Sequence, residues 1–168
     1  VVAVTEFDPR PPTTAVLPAA VAAAVSVLAV VAGSVVGAAL VGPGAVGVVY
    51  GAHTATRRYV TLGAGLAFVG VVLAATQGLP ISLALVAGVA AIVAYDTGEH
   101  AVTLGIDVGS QAPTGQSVLV HATGSLAVGS LAAAFGYAIY VFGPTSLPVT
   151  GLIALLLAAV LLAYALGD

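Results

Sequence analysis

Long, nearly uncharged apolar runs, parted by short breaks rich in glycine and proline, are the feature that most restricts this chain. A run of about 20 such residues matches the thickness of a bilayer's hydrocarbon core when helical. Backbone groups in lipid must be satisfied within the segment, so a chain of repeated runs reads as a bundle of membrane-crossing helices. Composition agrees: 61% of the 168 residues are hydrophobic, 5% are charged, and the mean hydropathy is +1.21. A soluble domain carries roughly 25% charged residues. The sequence therefore predicts an all-α, polytopic transmembrane bundle in the cell membrane.

The breaks divide the chain into about six spans. Residues 1–14 contain Glu6, Asp8, Arg10, Pro11 and Pro12 and read as a short extramembrane arm; residues 15–168 read as a single transmembrane helical domain. A first apolar run covers 15–41, with Pro18 tolerated in its first turn. Gly42, Pro43 and Gly44 read as the first turn, leaving a short second helix over 45–56 closed by Arg57 and Arg58. That helix spans only with snorkelling arginines or a thinned bilayer, and the alternative parse fuses the two runs or makes the second one re-entrant. Further spans are expected at 59–76, 81–104, 117–142 and 149–166, with turns at 77–80 and 143–148 and the longest loop at 105–116.

Charge placement sets the orientation. With six spans arranged as three hairpins, Glu6, Asp8, Arg10, Arg57, Arg58, Asp96, Glu99, Asp107 and Asp168 all fall on one side. Arginine-bearing loops stay inside, so both termini are expected in the cytoplasm, with Pro43, Pro80 and Pro148 at the opposite face. Small residues four apart, Gly33 with Gly37, Gly47 with Gly51, and Ser125 with Gly129, are candidate helix-packing positions.

Absences narrow the chemistry. Without cysteine there are no disulfides, thiolate metal sites or thiol nucleophiles. Without lysine, and with three arginines, there is no Schiff-base residue and no basic patch for nucleic acid. No nucleotide-binding glycine motif and no nucleophile elbow occurs, so the chain reads as a non-enzyme with no catalytic residue and no required cofactor.

One polar cluster breaks the apolar pattern. Asp96, Glu99, His100, Thr103 and Asp107 share one face of the fourth helix, within about 60° at 100° per residue. His53, His100 and His121 each sit about one turn from a helix end at the same expected depth. Imidazole and carboxylate donors from facing helices suit zinc or iron, making His53, His100, His121, Asp96 and Glu99 candidate ligands, or His100 and His121 axial ligands of haem b. Ionisable groups inside spans also suit a proton or ion relay in a small transporter. The reading that asks least is an interfacial ion-pair network in which Arg57 and Arg58 offset the acids near the C-terminal end of the fourth helix.

The run Tyr95, Asp96, Thr97, Gly98, Glu99, His100, Ala101, with Leu104, Gly105, Gly109, His121 and Ala122, resembles a motif of small uncharacterised haloarchaeal membrane proteins. That family is associated with gene clusters encoding a MoxR-type AAA ATPase and partner membrane proteins. The resemblance, over about 59–166, implies an archaeal, halophilic source and an accessory or structural subunit of a larger membrane complex, whose partners are other membrane-protein subunits. It implies no catalytic residue.

Overall fold

The computed structural model describes residues 8–143. It contains five α-helices: α1 (Thr13–Val31), α2 (Val35–His53), α3 (Arg57–Thr76), α4 (Ile81–Val108) and α5 (Gly115–Phe142). All five are long and apolar enough to cross a membrane, so this is an all-α, multi-pass membrane protein. The expected sixth span at 149–166, with Pro148 and Asp168, lies outside the described residues.

The first break differs from expectation. Gly42, Pro43 and Gly44 do not form a turn but lie inside α2, and the chain turns instead at Ala32, Gly33 and Ser34. Ser34 caps α2 by accepting a hydrogen bond from the Gly37 N–H at 2.9 Å, which supplies one of the donors a helix start leaves unpaired. Gly44 instead lets two helices meet: a Cβ on it would lie 2.6 Å from the Ala67 nitrogen and the Gly63 oxygen. At 19 residues α2 is about 28 Å long, so no thinning of the bilayer is needed. Pro43 accordingly sits mid-helix, not at the membrane face expected for it. Arg57 opens α3 instead of closing α2.

A glycine seam joins α2 to α3. Gly37, Gly44 and Gly51 recur every seven residues on α2, and Gly63 and Gly70 do so on α3; a seven-residue repeat keeps one helix face toward its neighbour. Added Cβ atoms would strike backbone across the seam: at Gly51, the Val60 nitrogen at 2.5 Å; at Gly63, the Gly44 oxygen and Val48 nitrogen at 2.6 Å; at Gly70, the Gly37 oxygen at 2.9 Å. A Cβ on Gly47 would lie 3.0 Å from the Gly63 Cα. Such close backbone approach maximises dispersion where lipid removes the hydrophobic drive for helix association.

The rest of the core is small and even. One cluster joins Ala15, Ala19 and Ala23 of α1 to Val48, Val60, Ala94 and Val102. A second joins Val30 and Val41 to Val71, Ala74, Leu79 and Ala87. Ser26, fully buried, donates from Oγ to the Ala87 carbonyl at 3.0 Å and ties α1 to α4. At one end, Ser34 Oγ lies 3.0 Å from Gln77 Oε1, so the turns at 32–34 and 77–80 are adjacent.

The fourth helix is longer than expected, ending at Val108 instead of residue 104, and α5 starts at Gly115, which shrinks the loop to 109–114. Gly105 does not turn the chain. It lets the N-terminal arm cross α4: its Cβ would lie 2.7 Å from the Pro9 oxygen and the Pro11 nitrogen. Ser110 N–H donates to the Asp8 carbonyl at 3.2 Å beside this crossing. Gly109, at φ 75°, ends the helix in a conformation that side chains disfavour.

The chain divides into two compact units, Val1–Ala133 and Ala134–Asp168. Within the first, α5 contributes one buried residue, Val118, and leaves Leu119, Leu126, Val128 and Leu131 more than half exposed. In the second, the described residues complete α5, with the Tyr137 and Tyr140 rings 6.4 Å apart.

Candidate functional site

The polar residues of α4 distribute themselves between two neighbours. Arg57, at the first position of α3, reaches Glu99 with Nη1 to Oε2 at 3.1 Å and Thr103 with Nη2 to Oγ1 at 2.9 Å. A cation at a helix N-terminus opposes the dipole, so the Glu99 carboxylate offsets that cost. Thr103 also donates to the Glu99 carbonyl at 3.0 Å, which orients its hydroxyl oxygen toward Arg57. Glu99 Oε1 is buried without a hydrogen-bond partner.

One turn deeper, Asp96 faces α5. Ser125 Oγ donates a hydrogen bond to Asp96 Oδ2, and His121 Nε2 lies 2.8 Å from the same oxygen. That second contact lacks the alignment of a directed hydrogen bond. The His121 ring stacks on His100, centroids 4.0 Å apart and planes 14° from parallel. His100 Nε2 is buried without a hydrogen-bond partner. Asp96, His100, His121 and Ser125 thus form one group; Glu99, Thr103 and Arg57 form a second, joined to it through consecutive residues of α4.

His53 does not join either. It ends α2, where the helix dipole favours it, and lines a separate groove of about 470 Å³ with Tyr50, Ala20 and Ala24. Of the three histidines expected to converge, His100 and His121 meet and His53 lies apart from both. Arg58 and Asp107 are exposed and make no side-chain hydrogen bond or ion pair among the described residues.

The geometry gives no metal centre: among the described residues no three His, Asp or Glu side chains could hold an ion. His53, His100, His121, Asp96 and Glu99 are not assembled around one point, because Glu99 turns to Arg57, Asp96 to α5, and His53 lies apart. Haem b between His100 and His121 is likewise unsupported, since stacked rings do not aim their nitrogens at a common centre between them.

The packing residues fall as follows. Gly33 occupies the first turn against Leu79, Gly37 meets Ala74 and Gly70, Gly47 and Gly51 lie in the α2/α3 seam, and Gly129 approaches Val89. Ser125 serves as a donor to Asp96. Gly44 escapes a four-residue spacing rule, and Gly63 and Gly70 satisfy it only through Ala67 and Ala74; the seven-residue spacing shared by α2 and α3 is the signal that links all three.

Asp96, His121 and Ser125 line one end of a cleft of about 740 Å³ between α4 and α5 whose other walls are apolar.

These features define a polytopic helical membrane protein with a part-buried polar junction among the described residues. The chain belongs to a family of unknown function, DUF7519, whose profile matches residues 9–163. No curated protein and no solved structure matches it.

Proposed function

We propose that this protein is a non-enzymatic accessory or structural subunit of a larger membrane complex. The observation that carries this is α5: in the first unit it leaves Leu119, Leu126, Val128 and Leu131 more than half exposed, although the helix has full membrane length. Helices α1–α4 bury their small residues against one another, whereas α5 offers an apolar surface that a partner's helix would cover. The resemblance to haloarchaeal membrane proteins makes an assembly served by a MoxR-type ATPase the proposed setting.

The proposed topology is six spans in three hairpins with both termini and Arg57 and Arg58 in the cytoplasm. Support comes from the clustering of charge: Asp8, Arg57 and Glu99 are tied to one end by Ser110 and Thr103, while the adjacent turns at 32–34 and 77–80 carry none. A cysteine introduced at Asp107 should be labelled only from inside, and one at Gly78 only from outside.

The direct test is purification of the tagged protein from native membranes in mild detergent. Stoichiometric recovery of other membrane subunits is expected. The Asp96, His121, His100 group favours a second reading, a small proton- or ion-conducting protein. A monomer with measurable flux in liposomes, abolished by Asp96→Asn, would replace the first reading with this one.

A further inference from the structure

The cleft between α4 and α5 has the dimensions and lining of a ligand site. Its volume, about 740 Å³, lies within the roughly 300–1,000 Å³ of small-molecule sites, which combine apolar walls with a few convergent polar groups. Gly88 and Gly124 open the walls, since a Cβ at either would meet nothing within 4 Å. From Ala84 to Asp96 along α4 the cleft extends about 18 Å. Ile92 and Tyr95 at its α4 rim are exposed, so entry is from the bilayer side.

The polar end is acceptor-rich. Asp96 is the one carboxylate among the lining residues, and no arginine lines the cleft. Ser125 and His121 both address Oδ2, leaving Oδ1 without a hydrogen bond or ion pair among the described residues. The guanidinium of Arg57 is engaged by Glu99 and Thr103. A carboxylate at this depth is costly unless covered, and a cation donating to Oδ1 would cover it with a charge-assisted hydrogen bond.

We propose that this cleft binds a membrane-dissolved amphiphile whose head is a protonated amine, held by Asp96, with its apolar tail lying along α4 toward Ala84. The site is independent of the subunit assignment. It requires only α4, α5 and the bilayer.

The test is native mass spectrometry of the full-length protein titrated with hexadecylamine, hexadecanol or palmitate. Hexadecylamine should bind about ten-fold more tightly than hexadecanol, the worth of one charge-assisted contact, and palmitate should bind most weakly. Asp96→Asn should erase the amine preference while retaining the alcohol. Gly124→Leu, which fills the cleft and leaves Asp96 intact, should weaken amine and alcohol alike by at least about ten-fold. Equal affinity for amine and alcohol, a preference for palmitate, or absence of binding would overturn the proposal. So would amine selectivity that survives Asp96→Asn, or binding unchanged in Gly124→Leu.

Discussion

Replacing Gly63 with alanine is expected to destabilise the bundle, although alanine is the better helix former. The new methyl carbon would lie 2.6 Å from both the Gly44 oxygen and the Val48 nitrogen, and 2.8 Å from the Gly47 carbonyl carbon. Ordinary contact begins near 3.4 Å, a shortfall of about 0.8 Å. All three obstacles are backbone, so no rotamer change relieves them and α2 must move from α3. A gap of about 0.5–1 Å forfeits a quarter to a half of each dispersion contact along the seam. Overpacking of this kind costs about 1–3 kcal/mol, offset by about 0.5–1 kcal/mol from removing a helical glycine; a net loss of up to about 2.5 kcal/mol follows. The assay is reversible SDS titration in mixed micelles followed by far-ultraviolet circular dichroism. Gly65→Ala, on the same helix with nothing within 4 Å of its Cβ, is the control and should be neutral or stabilising. Equal midpoints for the two variants would refute the seam as a determinant of stability.

The same titration reads three further substitutions. Ser26→Ala removes the buried hydroxyl that bonds the Ala87 carbonyl and should cost about 0.6 kcal/mol, the average for a hydrogen bond between membrane helices. Ala55 holds φ at 53° in the turn between α2 and α3, so Ala55→Gly should stabilise by about 1 kcal/mol by relieving left-handed backbone; a decrease would show the turn adopts another conformation. For Arg57 and Glu99, more than half and about one-fifth exposed respectively, a double-mutant cycle with Arg57→Gln and Glu99→Gln should return a coupling of about 0.2–1 kcal/mol that shrinks in high salt. A zero coupling at low salt would remove the pair from the account.

Membrane-length helices were legible because lipid imposes length and apolarity directly on sequence, and the turn at Gln77 to Pro80 appears where glycine and proline mark it. Gly42, Pro43 and Gly44 misled because a glycine that would make a turn in water can instead permit close helix contact in lipid, as Gly44 does, and neighbouring groups there tolerate an interior proline. Ser34, a capping residue in an otherwise apolar stretch, was the better marker of the break. Gly105 misled in the same way, its missing side chain being required by the crossing of Pro9 and Pro11 rather than by a turn. Within the site, the shared face of Asp96, Glu99, His100 and Thr103 was visible from periodicity. How they divide between α3 and α5 was not, since that depends on where those helices start and on their lateral placement. His53 could be excluded only once the end of α2 was known.

Photo-crosslinking from the exposed face of α5 tests the central claim most directly. A benzophenone amino acid at Val128 or Leu131, irradiated in native membranes, should give a discrete adduct with another membrane polypeptide. The same probe at Ala67, buried in the α2/α3 contact, should give none. Lipid-only adducts at Val128 and Leu131, from a protein that purifies alone, would contradict the assignment as a subunit of a larger complex.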